Sequence, residues 1–358
     1  MVKDDLEKLV LLSDHGTAQL TDEIHFYLKQ KLNDKYLQGF NPNHLYINRF
    51  KDGEPNIRID TNVRERPVFV IKSFNALTKK YDPQTEKAQT KFDQAKGYEE
   101  LFVINDALKR ASAGDIVNVI FYIPYLRQDR KDQPRRPITS KRYAQLTENS
   151  GATRILTLEP HFKQAPGFYE IPFDDLKSSI LFSEYFESNF DLDNFVIVSP
   201  DLGGGDRAEE LAKNLHLPLV VNYKRRDPIT GDVKVQGVLK MSDVDLKGKH
   251  AIIFDDMIDS GGSIVKAAEN LRQEGIEKVY ACCAHPVFSE NAPDLLAEAD
   301  IEVFVTNSII LDKEYPNVKV ISLGRMAAEA IYGIYTGKGL SKNLFNYDNF
   351  KKLVKQSS

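Results

Sequence analysis

Tryptophan is absent from the 358 residues, and cysteine and methionine are scarce, at two and four. The two cysteines, Cys282 and Cys283, are adjacent. Neighbours of that kind cannot staple distant loops or form a spaced metal knuckle, so a disulfide framework is excluded, and no His/Cys cluster suited to zinc stands elsewhere in the sequence. Long apolar runs are missing too, since no segment approaches the roughly 18 residues of a bilayer span. The N-terminal MVKDDLEKLVLL is acidic where a secretory leader is basic, and no small-residue cleavage site follows it. The expectation is a cytoplasmic chain with no membrane partner. Neither sign of charge dominates: 48 Lys and Arg face 52 Asp and Glu, a net charge of −4. That balance argues against nucleic acid as the main partner, while allowing a local basic cleft for phosphorylated small molecules.

Apolar residues make up 42% and aromatics 10%, enough to exclude disorder along most of the chain. The length suits about two domains, each with its own core. Short apolar runs alternate with longer helical stretches. Strands are expected at His44 to Phe50, Pro67 to Phe74, Asp115 to Ile123 and Thr153 to Glu159. A second series runs from Phe195 to Pro200, Leu217 to Tyr223, His250 to Asp256, Lys278 to Ala284, Glu302 to Thr306 and Lys319 to Leu323. Several are continuous Val/Ile/Phe runs, the pattern of strands covered on both faces in a mostly parallel sheet. Helices are expected at about Lys91 to Ala113, Thr139 to Ser150, Gly205 to Leu215, Ser263 to Glu274 and Ser289 to Glu298. In the fourth, Ile264, Ala267, Ala268 and Leu271 recur at helical spacing and Gly275 stops the helix. The chain is α/β, and EIPFDDLKSS interrupts the alternation near residues 170–180, where a domain boundary is expected. Two segments read as excursions: the lysine-rich Leu77 to Gly97, as a helical hairpin, and Arg225 to Gly237, as a flap or β-ribbon.

The strongest local signal is AIIFDDMIDSGGSIVKAAENL, residues 251–271. A buried strand ends in Asp255 and Asp256, a short loop carries Asp259, Ser260, Gly261, Gly262 and Ser263, and a helix follows. Backbone N–H groups at such a helix start can surround a phosphate. The paired carboxylates then call for ribose hydroxyls or Mg²⁺-bound waters. A capped strand–turn–helix with a Gly–Gly bend is the plain alternative. Neither a Walker lysine loop nor GxGxxG is present in the segment, which removes the main support for ATPase and dehydrogenase readings. PYLRQDRK (124–131) follows a strand, where α/β proteins place binding loops, and its Arg127, Gln128 and Arg130 suit phosphates and a base. Read bare, it is as readily a solvated loop as a binding one; FKDGE (50–54) reads as a hairpin turn, His161 in LEPHF more often as a structural hydrogen-bonder, and KRR (224–226) more often as a solvated face.

The strand–DD–loop–helix segment resembles the ribose-5-phosphate loop of the ribose-phosphate pyrophosphokinases, or phosphoribosyl pyrophosphate synthetases. Type I phosphoribosyltransferases share that loop in outline. They do not explain FKDGE, DALKRASA (106–113), PYLRQDRK, RPITSKRYAQL (136–146), the 151–176 segment, VSPDLGGGDRAEELA (198–212), KRR and KVYACCAHPVFS (278–289), which occur in the synthetase order. The resemblance spans roughly residues 42–325.

The resemblance implies two tandem type I phosphoribosyltransferase-like domains. These are residues 1–175 with the ATP-side loops and 176–335 with the sugar loop, followed by a 336–358 extension packing back on the N-terminal domain. It implies transfer of the pyrophosphoryl group of ATP to the C1 hydroxyl of ribose 5-phosphate, with Mg²⁺ as cofactor. Phe50, Asp52, Glu54, Arg127 and Gln128 would contact ATP. Asp255, Asp256 and Asp259 to Ser263 would hold the sugar, His161 and Asp201 would serve the metal, and Lys224, Arg226 and His161 would be catalytic. FKDGE would project from a neighbouring subunit, so the minimal unit is a homodimer and a hexamer is expected. Departures include Glu159 and Pro160 before His161, serines in DSGGS where threonines are usual, and Tyr223 before KRR. Arg64 matches an allosteric-site arginine, whereas Gly339 stands at the first serine of the C-terminal segment that often completes that site. A catalytically silent regulatory homologue and a type I phosphoribosyltransferase are the competing readings.

Overall fold

A computed structural model describes residues 8–74, 93–226, 233–241, 244–340, 344 and 346–356. The chain divides into two compact units, one of Met1–Leu176, Ser308–Asp312 and Ser322–Leu340, the other of Lys177–Asn307, Lys313–Ile321 and Ser341–Ser358. In the first unit, β1 (Val10–Ser13), β4 (Val68–Ile71), β5 (Ile116–Val119), β6 (Arg154–Leu158) and β7 (Phe173–Leu176) form a wholly parallel sheet in the order β1-β4-β5-β6-β7. VFVI of β4 and IVNV of β5 are buried along their whole length, as strands with helices on both faces must be. The helices are α1 (Ala18–Lys29), α2 (Gln94–Arg110), α3 (Thr139–Ser150) and α8 (Gly324–Thr336). Asp93 caps α2 by accepting from the Lys96 N–H at 3.1 Å, and Gly151, at φ +123°, ends α3. α8 packs on α1 so closely that a Cβ at Gly324 would lie 2.8 Å from that of Glu23.

β2 (Leu45–Arg49) and β3 (Pro55–Ile59) stand outside that sheet as an antiparallel hairpin. The 44–50 run was expected in the parallel sheet, but the five residues that follow are too few for a parallel crossover. FDDL, read as an interruption, is the edge strand β7; only Leu176 is fully buried there, so the sequence carries no apolar run to reveal it.

In the second unit, β8 (Phe195–Ser199), β9 (Leu219–Arg226), β10 (Val233–Lys240), β11 (His250–Ile258), β12 (Lys278–Pro286), β13 (Ile301–Thr306) and β14 (Val318–Ile321) form one sheet in the order β10-β9-β8-β11-β12-β13-β14. β10 alone among these runs antiparallel, against β9, giving the ribbon expected after residue 225. The helices are α4 (Ser178–Asn189), α5 (Gly205–Leu215), α6 (Gly262–Gln273), α7 (Ala292–Glu298) and α9 (Tyr347–Gln356). Phe186, Phe190, Tyr280 and Phe304 pack edge to face and tilted between α4 and the sheet, with Phe186 and Phe304 centroids 5.0 Å apart. α9, within the expected 336–358 extension, packs on α4 of its own unit, where the Tyr347 hydroxyl and Lys351 ammonium both donate to Glu187. The expected helical hairpin at 77–97 lies largely outside the described residues, which resume at 93 with α2 following.

The second sheet reverses between β8 and β11. The chain leaves β8 toward β9 on one side and leaves β11 toward β12 on the other. Ligands of open α/β sheets bind beyond the carboxyl ends of the strands at such a reversal. The first sheet has none, because its strands follow one another in a single direction. No helix among the described residues is long and apolar enough to cross a membrane.

Candidate active site

At the reversal, the loops after β8 and β11 carry the expected sugar-side and metal-side residues. The Asp201 carboxylate accepts from the Gly204 N–H at 2.9 Å, folding SPDLGGG into a tight turn. Asn222 on β9 supports that turn by donating to the Pro200 carbonyl at 3.3 Å, while accepting from Asn270 of α6 at 2.9 Å. A Cβ on Gly204 would approach Ser199 Oγ to 3.0 Å and the carboxylates of Asp201 and Asp255 to 3.7 and 3.8 Å. This glycine therefore lets the two acidic loops meet.

Asp256 is buried at 3% exposure and Asp255 is half-buried. Arg207 on α5 pairs with both, at 3.2 Å to Asp256 and 3.8 Å to Asp255. Burial pushes the Asp255 carboxyl well above its ordinary pKa, and Asp256 adds to the rise through its charge and hydrogen bond; Arg207 opposes it only in part. One carboxylate of the pair is thus biased toward its neutral form, a hydrogen-bond donor beside an acceptor. Such a couple suits vicinal hydroxyls.

Beyond it, Asp259 accepts from the Ser289 hydroxyl, and the Ser289 N–H bonds the Asp259 carbonyl at 3.1 Å, tying the 259–263 loop to the loop before α7. Gly261, at φ +78°, is the N-cap of α6, and no side chain caps that helix. The alternative of a Ser- or Asp-capped turn therefore fails. Gly262 and Ser263 are exposed at a helix start whose N–H groups and dipole favour an anion.

In the first unit, the expected nucleotide residues also lie beyond the carboxyl ends of strands. Tyr125 adopts φ +64° and stacks on Tyr143 with centroids 4.0 Å apart, turning the chain so that Arg127 and Gln128 are exposed. Gln128 is held from the start of α3: its side-chain oxygen accepts from the Thr139 hydroxyl at 3.2 Å, and its carbonyl from that of Ser140 at 2.9 Å. After β6, buried Glu159 takes φ +42° and delivers Pro160 and half-buried His161. Left-handed backbone at two neighbouring strand ends is costly, and such costs concentrate where side chains must be aimed. FKDGE forms the turn between β2 and β3, with Phe50 55% exposed and Asp52 and Glu54 also exposed.

The structure brings Asp201, Asp255, Asp256 and the Asp259–Ser263 loop together at one sheet edge, and FKDGE, Arg127, Gln128 and His161 onto loops of the other unit. The backbones of Lys224 and Arg226 sit on β9 opposite Gln236 and Val233 of β10; their side chains lie outside the described ones. Sequence reasoning gave no role to Arg207, Asn222, Ser289 or Arg49. Arg207 was within reach, since GGGDR puts a cation one helical turn after the acidic loop. Cys282 and Cys283 are fully buried and burial holds both thiols well above the ordinary range, so neither is a nucleophile. Arg64 donates to the Ser112 hydroxyl at 3.3 Å, whereas residues 341–343 and 345 of the C-terminal segment lie outside the described ones.

Strand order and loop chemistry define the class: two tandem type I phosphoribosyltransferase-like units, the second with an acidic pair and an uncapped helix start at its sheet reversal. Comparison with known proteins agrees. The family model for the N-terminal domain of ribose phosphate pyrophosphokinase matches residues 9–151, and that for the phosphoribosyl synthetase-associated domain matches residues 231–346. A ribose-phosphate pyrophosphokinase of Campylobacter jejuni is 38% identical over 332 residues, 92% of this chain and 97% of its own. One from Bacillus subtilis is 40% identical over 298 residues, 82% of this chain and 87% of its own. The crystal structure of phosphoribosylpyrophosphate synthetase from Mycobacterium smegmatis superposes with a TM-score of 0.76 at 31% identity, covering 92% of this chain and all of that one. The chain belongs to the ribose-phosphate pyrophosphokinase family.

Proposed function

We propose that the protein is a ribose-phosphate diphosphokinase, converting ATP and ribose 5-phosphate to 5-phospho-α-D-ribose 1-diphosphate and AMP in the cytoplasm. The observation that carries this reading is the second unit's site: an acidic pair and an uncapped helix start at one sheet reversal, matched to a sugar bearing hydroxyls and a 5-phosphate.

The C1 hydroxyl oxygen attacks the β-phosphorus of ATP and loses its proton. The bond between that phosphorus and the oxygen bridging to the α-phosphorus breaks, and AMP departs. Asp255 and Asp256 take the sugar hydroxyls, while the backbone of Asp259 to Ser263 takes the 5-phosphate. Phe50 stacks on adenine, Asp52 and Glu54 read its edge, and Arg127 and Gln128 meet the rest of the nucleotide. Lys224 and Arg226 counter charge on the transferred group, with His161 beside the phosphates. Rate enhancement comes from orientation and preorganised charge, since no covalent intermediate is needed.

Mg²⁺ is the expected cofactor. No group of three or more His, Cys, Asp or Glu side chains among the described residues forms a protein cage for a metal. That fits Mg²⁺ arriving with nucleotide phosphates, because this ion takes one or two carboxylates and keeps its other positions for water and phosphate. Asp201, exposed beyond β8, is the carboxylate for that role, with His161 nearby in function. The ion would supply charge neutralisation on the triphosphate. FKDGE would serve the site of a neighbouring subunit, making the working assembly a homodimer at least and a hexamer by family pattern.

Chromatography of a reaction with Mg²⁺-ATP and ribose 5-phosphate tests the reading. Equal amounts of AMP and phosphoribosyl diphosphate are expected, with both lost in His161→Ala and Lys224→Ala. Binding of both substrates without turnover would favour a silent regulatory protein, and consumption of phosphoribosyl diphosphate a transferase.

A further inference from the structure

The FKDGE hairpin stands apart from both sheets, so neither sheet fixes its shape. Its own backbone bonds are few: Phe50 N–H to the Glu54 carbonyl at 2.9 Å and Gly53 N–H to the Phe50 carbonyl at 3.0 Å. Arg49 supplies what these lack. One terminal nitrogen of its guanidinium, Nη1, donates to the Gly53 carbonyl at 2.6 Å and to Glu99 at 2.8 Å; the other, Nη2, donates to Glu100 at 2.8 Å. The Gly53 carbonyl belongs to the residue at φ +100°, where the turn reverses.

Behind Arg49 runs a second line of charge. Glu100 of α2 also accepts from buried Lys72 at 2.8 Å, and Lys72 donates to Asp14 at 2.7 Å. Asp14 accepts from the Thr17 N–H at 2.9 Å, just ahead of α1. Burial alone would lower the Lys72 pKa, but the two carboxylates outweigh it and leave the ammonium above its ordinary value. The turn is thereby tied through α2 and the end of β4 to the foot of α1.

We propose that Arg49 is the positioning residue of the nucleotide turn, a clamp that holds residues 50–54 in the shape that receives the adenine end of the substrate. This rests on the nucleotide reading of that turn. Arg49 acts through the turn, since both terminal nitrogens of its fork are engaged within the protein. A guanidinium can satisfy a carbonyl and two carboxylates in one plane, whereas an ammonium at that reach cannot.

Amide hydrogen exchange on the full chain tests the clamp independently of activity, and steady-state kinetics tests its consequence. In Arg49→Gln, residues 50–54 should exchange about tenfold faster, with β4, β5 and β6 unchanged. KM for ATP should rise about tenfold, while kcat and KM for ribose 5-phosphate stay within about twofold. Arg49→Lys, which keeps the charge beside Glu100, should fall between, and Arg49→Gln added to Phe50→Ala should cost little beyond Phe50→Ala alone. Unchanged exchange at 50–54, or equal rises in both KM values, overturns the clamp. Absence of product from the unmodified enzyme would sink the functional reading instead, and exchange would still decide the clamp.

Discussion

Arg207 pairs with both carboxylates of the acidic pair of the second unit. Asp256 is almost completely enclosed, and the guanidinium 3.2 Å away offsets the cost of ionising it there. Arg207→Ala should lower stability by about 3 kcal/mol, read from the urea midpoint at constant slope, because it removes the guanidinium paired with a buried carboxylate. KM for ribose 5-phosphate should rise while that for ATP holds. Asp255 makes the opposite prediction. Its pKa in the folded protein lies above the ordinary carboxylate value of 3.8. The stability it contributes is complete below that value and is lost as pH climbs through the higher folded one, where ionisation in a confined acidic site becomes the cost. Asp255→Asn should therefore be more stable than the parent at about pH 8, with the gain shrinking toward about pH 4, as calorimetry at several pH values would show. The same variant should lose sugar binding, a trade of activity for stability.

Among the elements, the start of α6 joins backbone geometry most directly to the chemistry. Gly261 at φ +78° lets β11 turn into the helix, whose first residues Gly262 and Ser263 are exposed. Gly261→Ala should cost about 1 to 2 kcal/mol in backbone strain. It should also weaken ribose 5-phosphate binding by about tenfold or more, measured by titration calorimetry. The central strands, such as FVIVS and AIIF, were legible as continuous apolar runs because they are covered on both faces. β7 was not, with two of its four residues aspartate. α8 was missed for the reverse reason. GRMAAEAIYGIYT is buried nearly all round, Glu329 included, so it shows no clear polar stripe to mark a helix. The acidic pair and the DSGGS loop were readable because their residues are contiguous. Arg49 was not, since its partner Glu99 lies 50 residues away in sequence; Arg207 stood within reach in GGGDR, but its pairing with Asp256, 49 residues on, did not.

For the whole molecule, two sheets of related design position the candidate residues. In the proposed function the wholly parallel first sheet carries loops for a nucleotide, and the second sheet, with its reversal, carries the sugar site. If FKDGE serves a neighbouring subunit, mixed oligomers of Phe50→Ala and Lys224→Ala chains should recover about a quarter of parental activity, since random pairing leaves one site in four intact. No recovery would mean that each chain completes its own site. Family membership and the proposed sugar site lead to one central claim, that two phosphates move together from ATP to carbon 1. The most direct measurement uses ATP labelled with radioactive phosphorus at the β position, incubated with ribose 5-phosphate and Mg²⁺. The claim requires the label in the sugar product at the rate unlabelled AMP appears. Label retained in ADP, or released as inorganic phosphate or diphosphate with no labelled sugar, would contradict it.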